Sequence, residues 1–96
     1  MKNTYIVKRN NELISFYYGE NKSIYMQKIE GNKIYKIKVI ENVLDYFSVS
    51  LDKKGQIYIF CQDKEGNIKL ATSLGEDFKI STLFKKDFNI PDRVIF

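Results

Sequence analysis

Shifted by 44 residues without gaps, the chain falls onto itself. Thr4-Tyr5 meets Ser48-Val49, Val7 meets Leu51, Leu13 meets Ile57, Phe16 meets Phe60, Ile24 meets Ile68 and Met26 meets Leu70. The turn residue Asn11 falls on Gly55 and Gly31 on Gly75, while Ile34 meets Phe78, Val39 meets Leu83 and Ile40 meets Phe84. Only Phe16/Phe60, Ile24/Ile68 and Gly31/Gly75 are identities, so what repeats is the order of apolar and turn positions. In such an arrangement each repeat is one supersecondary unit that cannot bury its apolar face alone and must stack on a neighbour. A chain of 96 residues has room for two units of this length and a short remainder.

Each unit reads as strands. Ile, Val, Thr, Tyr and Phe together make up 35 residues, whereas Ala, the best helix former, occurs once, as Ala71. Runs at 4–7, 13–18, 24–29 and 34–40 are separated by Asn, Gly and charged residues, as are runs at 47–51, 57–61, 68–72 and 78–84. Val94-Ile95-Phe96 adds a ninth run after Pro91. Short strands joined by hairpin turns form an all-β meander. Leu13 to Tyr18 and Ile57 to Cys61 are apolar on both faces, which requires cover on both sides of the sheet.

Four strands in a period of ~40–50 residues is the size of one β-propeller blade. The expected fold is therefore all-β, with two four-stranded antiparallel blades over residues 4–44 and 45–88. Residues 89–96 would then be the first strand of a third repeat. A single β-sandwich or barrel is the alternative. A helix over 74–88, capped by Ser73-x-x-Glu76, is opposed by Gly75 and by the run Ile80-Ser81-Thr82. One helical turn at Asn42 to Tyr46 is open. Phe16, Ile24, Val49, Ile59, Phe60, Ile68 and Leu70 are the expected core.

The second repeat, with Gly66-Asn67-Ile68-Lys69-Leu70 and Gly75-Glu76-Asp77-Phe78, resembles the blade of tectonin-like and fucose-lectin-like propellers. Those families place an aromatic, usually Trp, shortly after a Gly. Phe78 takes that place in the second repeat and Ile34 in the first. The two-blade length is similar to that of small bacterial lectins that trimerise into six blades. Their sugar sites use Trp, an Arg and a Glu. This chain has no Trp, and it carries Tyr58 and Leu70 near the Arg and Glu positions, so the sugar site does not carry over. Ser50-x-Asp52-x-x-Gly55-x-x-Tyr58 is similar to the Asp-box of sialidase-type propellers, with one extra residue before the Gly. The resemblance implies a structural hairpin in which the Asp side chain bonds turn amides.

Little in the chain points to catalysis. There is no His and only one Cys, which excludes His-based acid–base chemistry, a Cys/His zinc site and a disulfide within the chain. Cys61 ends an apolar strand without a basic neighbour and reads as a buried, inert thiol. Asp63 with Glu65, and Glu76 with Asp77, are paired acids beside glycines, but no motif supplies further oxygen ligands for a metal. No metal, cofactor or catalytic residue is expected, and ligand-binding residues are not assignable.

The charge is unevenly shared. Residues 1–44 carry eight basic and four acidic side chains, whereas residues 45–96 carry eight of each. Lys33, Lys36 and Lys38 share a run with Tyr35, and Lys22 and Lys28 lie nearby. Basic residues interleaved with tyrosines suit a polyanion or nucleic acid. Equally, lysines on an edge strand prevent edge-to-edge pairing. The expected function is a non-enzymatic binding or scaffold module within an oligomeric propeller, trimer favoured, with carbohydrate among its ligand classes. The alternative is a basic β-domain that binds a polyanion. No run reaches the ~18 apolar residues of a membrane span. The free Cys and the lack of a leader pattern after Met1 favour the cytoplasm.

Overall fold

The computed structural model describes residues 4–9 and 11–87 of the chain. It contains two four-stranded antiparallel sheets. The first has strands in the order β1 (Thr4–Arg9), β2 (Glu12–Gly19), β3 (Ser23–Glu30) and β4 (Lys33–Ile40). The second has β5 (Val43–Leu51), β6 (Ile57–Asp63), β7 (Ile68–Leu74) and β8 (Asp77–Phe84), again in sequence order. Each sheet is a plain meander, and the two do not close into a barrel. The stretch 74–88, weighed as a helix, contributes strand β8. Residues 42–46 give no helical turn: Val43 opens β5, and an irregularity in the β5–β6 pairing lies between Val43 and Phe47. Val94-Ile95-Phe96 lies outside the described residues.

The 44-residue shift extends to register. Ile24 pairs with Ile40 and Tyr25 with Lys38, so a bulge sits between them. Forty-four positions on, Ile68 pairs with Phe84 and Lys69 with Thr82, with the same bulge. Gly31 and Gly75, at the corresponding hairpins, have φ of 62° and 63°. The β2–β3 pairing of Phe16 with Met26 recurs as Phe60 with Leu70. One hairpin departs from the rule. Arg9 pairs with Glu12, a tight connection, whereas Asp52 and Gln56 close a three-residue loop. The first strand of the second sheet is therefore offset by one residue. Tyr5 pairs with Phe16, but Val49 pairs with Ile59 and not with Phe60. By position in the sheet, it is Ile6 that corresponds to Val49.

Side chains alternate between the two faces of a strand, and the two sheets bury opposite faces. The first sheet turns Ile14, Phe16, Ile24 and Met26 inward; the second turns Ile57, Ile59, Cys61 and Ala71 inward. The shift carries Ile14, Phe16 and Met26 onto Tyr58, Phe60 and Leu70, which lie on the far side of the second sheet and are half-buried. The sheets thus stack front to back, with β1 lying against β5 and β4 against β8. Phe16 meets the edge of Phe78 at 6.2 Å, and Tyr5 meets Phe47 at 5.1 Å. Two hydroxyls cross the junction: Tyr5 donates to the Phe47 carbonyl at 2.7 Å and Tyr18 to the Val43 carbonyl at 2.9 Å.

Phe16, Ile24 and Ile59 are buried in this core as the sequence predicts; Ile68 is buried too, but beside Gln62 on the outward face of the second sheet. Phe60 and Leu70 are not in this core; they are half-buried on the other face, because equivalent residues of the two sheets face the same way along the stack. Val49 packs on the core from its margin. Truncation of Phe16 to Ala is expected to cost ~3–5 kcal/mol. For Phe60→Ala the expected loss is under ~2 kcal/mol. Urea unfolding of the two variants side by side checks this order.

Candidate functional site

Two hairpin turns use the same device. In Asp52-Lys53-Lys54-Gly55-Gln56, the Asp52 Oδ1 accepts the amides of Lys54 and Gln56, both at 2.9 Å. In Asp63-Lys64-Glu65-Gly66-Asn67, the Asp63 Oδ1 accepts the amides of Glu65 at 2.9 Å and Asn67 at 2.8 Å. The third loop residue of each must take positive φ, and it is Gly in both, at 85° and 93°. In the first turn the Asp52 side chain bonds turn amides. The same Asp-x-x-Gly spacing marks the second turn in the sequence.

The first turn is further tied down by its neighbours. The Tyr58 hydroxyl donates to Asp52 Oδ2 at 3.1 Å. The Gln56 side-chain amide donates to the Ser73 carbonyl, and Ser73 Oγ accepts the Ile57 amide at 2.9 Å. The Gln56 amide foremost, and after it the Tyr58 hydroxyl and the Lys54 amide, hold the Asp52 carboxyl below its ordinary range, against desolvation, which outweighs either of the latter two alone. Asp52 in turn raises the Tyr58 phenol.

The remaining candidate groups are also engaged. Cys61 is fully buried, and burial, then the charge of Asp63, pushes its thiol up to about 12. A thiol at that value offers no nucleophile at neutral pH. Asp63 also accepts from the Asn67 side-chain amide at 3.0 Å and lies 4.0 Å from Lys69. Glu76 faces Lys28 at 3.6 Å, across the junction between the sheets. Lys28 meets Glu12 at 3.3 Å and Glu30 at 3.8 Å as well, and its ammonium lies 5.5 Å from the centre of the Tyr35 ring. Desolvation works against the Lys28 charge, but Glu12 foremost, with Glu76 and Glu30, holds its pKa above the ordinary value. No group of three or more Cys, Asp or Glu side chains among the described residues is placed to hold a metal ion.

The five lysines of the basic segment do not form one patch. Lys36 and Lys38 lie on the outward face of the first sheet with Tyr17 and Tyr25, and Lys33 alternates to the opposite face. Tyr17 and Tyr25 stack at 5.7 Å, and Lys36 sits 5.8 Å and 5.1 Å from their ring centres. Lys28 faces the junction, and Lys22 ends the short turn between β2 and β3. The strand bearing Lys33, Lys36 and Lys38 is an edge of its sheet.

Two clefts open between the sheets. One, of about 210 Å³, lies among Arg9, Lys28, Tyr35, Ser73, Glu76 and Phe78. The other, of about 520 Å³, lies among Lys38, Glu41, Asn42, Asp63, Glu65 and Lys69. In the larger one Lys38 is paired with Glu41 at 3.3 Å and Lys69 with Asp63. Both sheets also carry apolar side chains on the faces turned away from the junction. Leu13, Ile29 and Ile34 are exposed in a row across β2, β3 and β4 of the first sheet; Lys8 holds the β1 place in that row, and the exposed Ile6 lies beside it on the same face. Tyr58, Phe60, Leu70 and Thr72 are half-exposed at the centre of the second. Among known proteins, no family model, curated relative or solved structure matches the chain.

The depressed Asp52 carboxyl sets a pH dependence. A lowered folded-state pKa contributes stability above the ordinary carboxylate range, which is lost as pH falls through the folded value. Asp52→Ala is expected to lower the urea midpoint at pH 7. The gap from the native chain should close below about pH 4. A gap that stays constant with pH would show that the carboxylate charge contributes nothing to the turn.

Proposed function

We propose that this chain is a non-enzymatic binding or scaffold module that forms part of an oligomeric β-propeller. The observation that carries this reading is the front-to-back stacking of the two sheets. A sandwich pairs its faces and is then complete. A front-to-back stack leaves one face open at each end, and those faces are the kind that the junction buries. Three copies would supply six sheets, a common number for a closed ring. The engagement of Asp52 and Asp63 by turn amides, of Glu76 by Lys28, and the burial of Cys61 support a binding role over catalysis. Carbohydrate is the ligand class that the blade resemblance brings with it.

The test is light scattering after size exclusion at tens of micromolar. The expected mass is a multiple of 11.4 kDa, and a monodisperse monomer would overturn the assembly reading. A second reading, a polyanion-binding surface, rests on Lys36 and Lys38 beside Tyr17 and Tyr25. It requires binding to heparin or single-stranded nucleic acid that falls steeply between low and moderate salt, because counterion release dominates such contacts.

A further inference from the structure

The register of the two sheets specifies the contact by which the module would assemble. This step rests on the reading of the chain as an assembling module and names its partner. We infer that the outward face of the second sheet docks on the outward face of the first sheet of a second copy. Phe60 of one copy then packs on Ile34 of the next.

The argument starts from the internal junction. There Phe16 of the first sheet meets Phe78 of the second. The shift carries Phe16 to Phe60 and Phe78 to Ile34, and both of these point outward. The correspondence continues around that pair. On the outward face of the first sheet, Ile6, Leu13 and Ile34 occupy the places of Val49, Ile57 and Phe78. The former are 72%, 54% and 66% exposed; the latter belong to or pack against the core. On the outward face of the second sheet, Tyr58, Phe60 and Leu70 occupy the places of the buried Ile14, Phe16 and Met26. Each outward face therefore carries apolar side chains at several of the positions that the internal junction buries. An exposed apolar row of this kind marks an interaction surface.

Two of the substitutions between the faces offset each other in volume, whereas Tyr17 and Thr4 stand in the places of the buried Cys61 and Phe47 and change the packing at one end. Ser15 stands where Ile59 stands and Gln27 where Ala71 stands, so a loss of volume at one position faces a gain at its cross-strand neighbour. The Lys28–Glu76 ion pair at the internal junction corresponds to Thr72 and Asn32, a neutral polar pair. Lys36 and Lys38 correspond to Ile80 and Thr82, which are exposed even at the internal junction because β8 is an edge strand. The lysines thus keep their solvent when the second copy docks.

The occupant is a second copy and not an unrelated protein, because the chain itself carries both halves of a contact it already makes once internally. The contact is heterologous: one face meets a different face, and repetition closes a ring or extends a filament.

The test uses two variants of the whole chain, each with one face spoiled. Ile34→Asp damages the first face and Phe60→Asp the second. Each alone is expected to run as a folded monomer by light scattering and far-ultraviolet circular dichroism. Mixed, they should form a 1:1 dimer of twice the chain mass that grows no further, since each supplies the intact face the other lacks. If Phe60→Asp does not fold, Thr72→Arg on the same face serves in its place. A mixture that stays monomeric overturns the inference, as does either variant retaining the native mass. An oligomeric native chain with that second result leaves the assembly reading standing and removes this contact. A monomeric native chain removes both.

Discussion

A side chain on a strand can point to only one face of its sheet, and much of this molecule follows from which face each sheet gives to the other. Had the two repeats met by equivalent faces, the pair would be symmetric, with one of the two buried sets, Ile14-Phe16-Met26 or Ile57-Ile59-Ala71, left outside. They meet instead by opposite faces. Ile14, Phe16 and Met26 face Ile57, Ile59 and Ala71, and the positions related to these by the repeat are left outside. The apolar character of both faces of Leu13–Tyr18 and Ile57–Cys61 is the chemical counterpart of this arrangement. Each of these strands has one face in the core and another face suited to one.

The turns decide how faithfully the repeat is carried into space. Where the hairpins match, as at Gly31 and Gly75, register and bulge recur at the same positions. Where they differ, the strands slip. The three-residue loop closed by Asp52 and Gln56 moves β5 by one residue relative to its counterpart, so Ile6 and not Tyr5 corresponds to Val49. A slip of one residue in a period of two exchanges the faces of a strand. Tyr5 can therefore turn inward and bond the Phe47 carbonyl, while Ile6 is left outside. The Asp52 and Asp63 carboxylates stabilise these loops by accepting amides that no strand can satisfy.

Charge is arranged around this frame and not at a single centre. Lys28 joins the two sheets through Glu76, and Lys36 lies over a tyrosine pair on an edge-proximal surface. Lys33, Lys36 and Lys38 stand on an edge strand, where lysine also blocks the pairing of unpaired backbone groups with another chain. The acids that looked available in the sequence, Asp63 and Glu76, have partners in the folded chain.

From the sequence alone, the eight described strands, their grouping four and four, and the structural role of Asp52 were legible. Each depends on neighbours close along the chain: alternation within a strand, a glycine where φ is positive, a carboxylate two to four residues from the amides it accepts. The buried state of Phe16, Ile24, Ile59 and Ile68 was legible for the same reason. Tertiary structure alone decided that Phe60 and Leu70 lie outside the core, since both faces of their strands are apolar and only the packed neighbour distinguishes them. It also decided that Val43 to Tyr46 belong to β5, whose pairing with β6 is irregular between Val43 and Phe47. The partners of Lys28 lie in three different hairpins, and no spacing in the sequence brings Glu12 and Glu76 to one ammonium. The choice of faces, on which the open surfaces depend, belongs to the stack and not to either repeat.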